Sequence, residues 1–327
     1  MNTLFPNAEC GVDVTLADFY RAGKERLKLT VLAGYGSLNT VIREPAVYRP
    51  GLALTGFMDQ FAHERIQLIG MAEEAYMKSL PVEVRKKRFE DMIDRGAMCF
   101  IFSNGNSPVD INLKLADERG VVIMSSPLPT REVAAQAVFV LERLAAPRIS
   151  MYGTMIEVSG LGVMIEGDPG MGKSETALGL IKRGNALISD DLTCIRKDMS
   201  SNFLFASASE ATAGYMEIRG VGIVNVRRIF GAWAVREEKR LDLVLTFRRL
   251  ADIRDTVDRI GQQRATKEIL GVKVPNIIIP VSAGRDMVNL VEIAVQAQKL
   301  AFTGYDPVHE LSEHLRVRAE RERIPNG

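Results

Sequence analysis

The chain is poor in the residues that build compact metal or disulfide sites. Its three cysteines, Cys10, Cys99 and Cys194, lie far apart with no C-x-x-C spacing, which excludes a zinc ribbon or a disulfide framework and fits a reducing cytoplasm, the expected location. It has only three histidines, and His63 has no second histidine or cysteine at ligand spacing, so it reads as a packing residue. A charge excess is missing as well. Lysine plus arginine number 42 against 41 aspartate plus glutamate, which removes any global electrostatic argument for nucleic acid or an anionic membrane. No uncharged apolar run reaches about 18 residues, and the first residues lack a basic segment followed by a long apolar one. Neither export nor a membrane span is expected.

What is present centres on one stretch. Gly167, Asp168, Pro169, Gly170, Met171, Gly172, Lys173 and Ser174 spell G-x-x-x-x-G-K-S, the phosphate-binding loop pattern. The apolar run Val163–Ile165 before it suits a buried strand. Ser174 to Gly184 reads as a helix with an apolar stripe at Ala177, Leu178, Leu180 and Ile181, and Gly184 stands at its C-terminal cap. Successive backbone N–H groups at a helix start form an anion cradle, and glycines let phosphate approach closely. Lys173 would reach the β/γ-phosphates of ATP, and Ser174 would hold Mg²⁺.

The flanking segments suggest a two-domain α/β protein. Residues 1–130 read as a small N-terminal α/β domain. Its expected helices are 16–27, 57–62, 73–79, 82–95 and 110–119, and its expected strands are 28–32, 64–70, 97–102 and 120–125. Strands separated by helices predict a parallel sheet. A helix starting at Thr130, with that residue as its cap, makes 131–147 a linker, and 148–327 would form a C-terminal P-loop kinase domain. There 149–158 alternates like a strand, and 232–235, 241–247 and 277–280 are strand-like. Residues 287–302 form a long apolar helix, and the charged residues 316–323 are expected to fray.

Ala186–Asp191 reads as a short strand ending in paired carboxylates, where open α/β sheets place ligands. One acid of Asp190 and Asp191 would bind the metal or its waters, and the other would take a proton from an incoming hydroxyl. Guanidinium groups such as Arg259 and Arg285 can clamp phosphate oxygens bidentately. Without further context each arginine, like Glu217, reads as an ordinary surface residue.

The segments GDPGMGKSETAL, KRGNALISDD, MEIRGVGIVNV, DRIG and PVSAGR, with RPGLALTGF and HERIQLIG nearer the start, make the chain resemble the HPr kinase/phosphorylases, bacterial enzymes acting on a serine of the phosphocarrier HPr. That resemblance implies a homohexamer, ATP with Mg²⁺, and HPr as partner. It places Lys173 on the phosphates, Ser174 and Glu217 on Mg²⁺, and Asp191 as proton acceptor beside Asp190. Arg259 would be a catalytic arginine, and Pro280–Arg285 the segment tied to dephosphorylation. Two positions depart from the family: Tyr152 and Asn185 stand where it usually has histidines. A phenol, with a reference pKa of about 10, does not exchange protons near neutrality as imidazole does. The expectation is retained kinase chemistry with weakened phosphate-driven reversal. The alternatives are a P-loop kinase for another substrate and a nucleotide-sensing regulator without transfer.

Overall fold

A computed structural model describes residues 9–10, 13–106, 113–252 and 265–322. The chain divides into two compact units, one spanning 11–146 and the other running from Pro147 onward and including the strand Glu9–Cys10.

The first unit is a three-layer mixed α/β structure. Its sheet runs in the order Thr30–Ala33, Val122–Ser125, Cys99–Phe102, Ile66–Ile69 and Val47–Tyr48. All neighbours are parallel except the Thr30–Ala33 edge. The three inner strands are mostly apolar because both faces are covered, and Cys99–Phe102 is apolar throughout, while the buried Gln67 interrupts Ile66–Ile69. Leu16–Leu27 and Thr130–Ala145 lie over one face, burying Phe19, Val133, Ala137 and Leu141. Gly51–Thr55, Met71–Ser79 and Val82–Asp94 supply the other face through Leu54, Met77, Phe89 and Met92. The helix read as a linker thus packs in this unit's core, and its cap is Pro129 rather than Thr130. No helix forms over 57–62; the one turn of helix here is Gly51–Thr55, starting just past Pro50 and stopped by Gly56 at φ 104°.

The second unit layers two sheets and a helical face. A six-stranded mixed sheet runs Ala186–Ser189, Thr154–Val158, Leu161–Glu166, Leu243–Arg249, Val272–Val281 and Thr266–Ile269. On one side Lys173–Lys182 and Met287–Phe302 cover it, with Ala177, Leu180, Val291 and Val295 buried. On the other, Ile149, Met155, Ile195 and Leu204 pack between it and an antiparallel sheet of Glu9–Cys10, Arg148–Tyr152, Leu192–Lys197, Leu204–Ser207 and Glu238–Arg240. The single strand expected over 149–158 is two, Arg148–Tyr152 and Thr154–Val158, broken at Gly153 so that the chain changes sheets. Ala232–Ala234 is a 3₁₀ turn rather than a strand, and Pro307–Glu322 is helical through the charged tail. Among the described residues no helix is long and apolar enough to cross a membrane.

Strand direction positions everything that follows. Leu161–Glu166 is parallel to Leu243–Arg249, which is parallel to Val272–Val281. Ala186–Ser189 runs the same way, because it is antiparallel to Thr154–Val158, itself antiparallel to Leu161–Glu166. One edge of the sheet therefore collects the segments after Glu166, Ser189, Arg249 and Val281, together with Tyr152–Thr154.

Candidate active site

The loop at 167–172 bends through three glycines with positive φ. Gly167 (150°) passes so close to the next strand that a Cβ would sit 2.8 Å from the Phe247 carbonyl oxygen, and Gly172 (79°) adopts the left-handed conformation as the helix cap. No side chain caps the helix start at Gly172. Lys173 Nζ donates to the carbonyl oxygens of Gly167 (2.9 Å) and Asp168 (3.2 Å), folding the cation over its own loop. The feeding strand is held by Glu166, which accepts from Thr246 Oγ1 at 2.8 Å and pairs with Lys267.

The two aspartates behave oppositely. Asp190 is buried, and its Oδ1 accepts from Ser174 Oγ (3.0 Å) and Thr154 Oγ1 (2.8 Å), while Oδ2 accepts from the Glu217 N–H (3.2 Å). Burial pushes its carboxyl above the usual range; the Thr154 hydrogen bond opposes this, the neighbouring Asp191 charge adds to it, and the bonds from Ser174 and Glu217 oppose it further. Asp191 is exposed and sits at φ 60°, a conformation few non-glycine residues adopt. The Leu192 N–H reaches back to the Asp190 carbonyl at 2.8 Å, and the Gly153 N–H donates to the Asp191 carbonyl at 2.9 Å. The chain reverses tightly on Asp191, leaving its carboxylate in solvent.

Glu217 arrives on the hairpin Tyr215–Ile218 and Gly222–Asn225. Met216 is buried in the core, so alternation puts the Glu217 side chain outside while its N–H meets Asp190. Tyr152 is exposed and stands opposite Leu192 in the strand pair, one residue from the aspartate turn. Arg285 is exposed and donates to the Pro280 carbonyl at 3.1 Å. Arg259 lies outside the described residues. Asn185 bridges the Ser159 N–H (3.2 Å) and the Leu180 carbonyl (3.0 Å), closing the end of the loop helix.

Sequence reading overlooked two groups. Thr154 is one: its only signal is a threonine just ahead of the apolar pair Met155 and Ile156, buried where the strand begins. Arg219 is the other, with its guanidinium 3.9 Å from where a Gly170 Cβ would lie. Among the described residues no three histidine, cysteine or acidic side chains assemble into a metal cage. The structure brings together the Ser174 hydroxyl and the Asp190 carboxylate, oxygen donors of the kind a cation such as Mg²⁺ takes beside phosphate and water, while Glu217 meets that carboxylate through its backbone N–H.

A phosphate-binding loop beside a hydroxyl-bonded carboxylate and a second, exposed carboxylate is the arrangement of a phosphoryl-handling enzyme. Comparison with known proteins narrows that class. The family description "HPr Serine kinase C-terminal domain" matches residues 143–315, and "HPr Serine kinase N terminus" matches 14–141. The HPr kinase/phosphorylase of Leptospira biflexa is 36% identical over 299 residues, covering 91% of this chain and 92% of the relative. That of Treponema pallidum is 36% identical, covering 89% and 91%, and that of Clostridium botulinum is 38% identical, covering 79% and 84%. A solved Hpr(Ser) kinase/phosphatase from Coxiella burnetii shares 32% identity, covers 50% of this chain and 99% of its own, and superposes with a TM-score of 0.45. The chain belongs to the HPr kinase/phosphorylase family, and it is an enzyme of the kinase/phosphorylase type.

Proposed function

We propose that the chain is an ATP-dependent protein-serine kinase of P-loop type that phosphorylates an HPr-type phosphocarrier, with phosphate-driven dephosphorylation weakened by Tyr152. The observation that carries this reading is the sheet edge that gathers the loop at 167–174, the Asp190–Asp191 turn and Glu217. The loop amides and Lys173 hold the phosphates of ATP, and Arg219 and Arg285 add positive charge at the same edge. Ser174, Asp190 and, on the family pattern, Glu217 would hold Mg²⁺, which would offset charge on the phosphate oxygens. Asp191, exposed on its turn, receives the proton of the incoming serine hydroxyl. The serine oxygen bonds to the γ-phosphorus as the bond to the β,γ-bridging oxygen breaks, and ADP departs with that electron pair. Arg259 belongs to this site on the family pattern. The cytoplasm and an assembly of six copies belong to the same reading; light scattering tests the assembly.

The deciding experiment supplies γ-labelled ATP, Mg²⁺ and HPr to the purified chain, beside a panel of small metabolites. Label on a serine of HPr is expected. Label only on a metabolite, or ATP bound without transfer, refutes the assignment.

A further inference from the structure

Three buried hydroxyls surround the aspartate pair, and the reaction scheme above uses none of them. Thr154, Ser189 and Thr193 are almost completely removed from solvent. Thr154 Oγ1 donates to Asp190 Oδ1 at 2.8 Å. Thr193 Oγ1 donates to the Gly153 carbonyl at 2.9 Å, which leaves the Ser189 hydroxyl to donate to Thr193 across 2.6 Å. The N–H of that same Gly153 holds the Asp191 carbonyl at 2.9 Å. The Gly153 residue is thus gripped at both ends, by Thr193 and by the Asp191 turn. Burying a hydroxyl is unfavourable unless it is hydrogen-bonded, and valine would fill the same space without that cost. Packing alone does not call for hydroxyls at these positions; their partners do.

Resting on the functional reading just given, we propose that Thr154 and Thr193 are positioning residues for the Asp190–Asp191 pair. Thr154 fixes the Asp190 carboxylate toward Ser174, and Thr193 fixes the turn that aims Asp191. The two act on different groups and so leave different kinetic signatures. Thr154 governs the carboxylate shared with Ser174 Oγ, hence the affinity for nucleotide with Mg²⁺. Thr193 governs the placement of the proton acceptor, hence the rate of the bound complex.

Thr154→Val, Thr154→Ser, Thr193→Val and Thr193→Ser in the full chain test this. Thr193→Val is expected to lower kcat about tenfold or more with little change in KM for ATP. Thr154→Val is expected to weaken binding of ADP with Mg²⁺ about tenfold by calorimetry. Each serine variant restores most of the loss, because it returns the hydroxyl. Independently of transfer, Thr193→Val speeds amide hydrogen exchange at Gly153 and Leu192 and leaves Cys99–Phe102 unchanged. Valine variants with wild-type kinetics, binding and exchange overturn the proposal. So do serine variants as impaired as the valines in proportion to lost thermal stability, since that is the behaviour of packing residues. If the wild-type chain labels no HPr, the functional reading fails, while the calorimetry and the exchange rates still decide the positioning.

Discussion

Both units end parallel strands at helix starts, yet they finish those ends in opposite ways. In the first unit the Gly70 N–H donates to Glu73 Oε2 at 3.1 Å, and Glu73 is paired with Arg49 at 2.8 Å. The Ser103 hydroxyl donates to the Ile69 carbonyl, and Thr130 Oγ1 bonds Ser103 and accepts from Asn104. The polar groups there satisfy one another. In the second unit Gly172 offers no side chain to the helix start, and the only cation in the loop bends back to its carbonyls. One edge is closed by its own carboxylate; the other keeps backbone donors for an anion from outside. Parallel strands lead into helices in both units, and a few side chains decide whether such a strand end closes on itself or keeps its backbone donors open.

The strongest way to test that contrast is to remove the exposed acid of the second unit. Asp191→Ala should cut phosphoryl transfer by about 10²–10⁴-fold and leave calorimetric ATP binding intact; joint loss of both would make Asp191 a binding residue instead. Next in size, Glu73→Ala should open the self-satisfied edge of the first unit. It removes a helix cap and strands Arg49, at a cost of about 2 kcal/mol in denaturant unfolding, with transfer per folded molecule unchanged. Reduced transfer at full stability would show that this edge, too, serves the reaction. Tyr152→His should then raise pyrophosphate release from phospho-HPr and inorganic phosphate by about tenfold. An unchanged rate would mean that position 152 does not limit reversal.

The smallest effect is one of pH. Burial pushes the Glu73 carboxyl up, but hydrogen bonds from Arg49 and from the backbone N–H groups of Glu73 and Gly70, with the Arg49 charge, bring it below its ordinary value of 4.5. A lowered folded pKa contributes stability that is complete above the ordinary value and is lost as pH falls through the folded one. Melting temperature should therefore decline below about pH 4.5, and Glu73→Gln should flatten that part of the curve. An equal decline in the variant would assign the acid sensitivity to other carboxylates.

How much of this was legible in the sequence differs by kind of signal. Unbroken apolar runs such as Cys99–Phe102 and the glycine loop at 167–172 announce themselves, because burial on both faces and close phosphate approach each demand a narrow set of residues. The short strands Leu192–Lys197, Leu204–Ser207 and Glu238–Arg240 did not. They carry mixed polar and apolar residues and owe their conformation to pairing, the first two with each other and then with Arg148–Tyr152 and Glu238–Arg240, strands distant in sequence. The break at Gly153 was hidden for a similar reason: alternation runs through it on both sides, and only the change of sheet gives it away. Within the site, residue types pointed to Lys173, Ser174 and the aspartates, but no pattern distinguishes a buried Asp190 from an exposed Asp191. That division comes from the Thr154 hydroxyl and the Glu217 N–H, which arrive from two other strands.

The hairpin that carries Glu217 constrains chain length as well as chemistry. Met216 faces the core and Glu217 faces out, and it is the main chain at 217, not its side chain, that meets Asp190. Adding or deleting one residue between the buried Gly214 and Glu217 would exchange the two faces, sending a carboxylate inward and a thioether into water. Homologous chains should therefore keep the number of residues in this segment, so that position 217 stays on the outer face with its N–H on the aspartate.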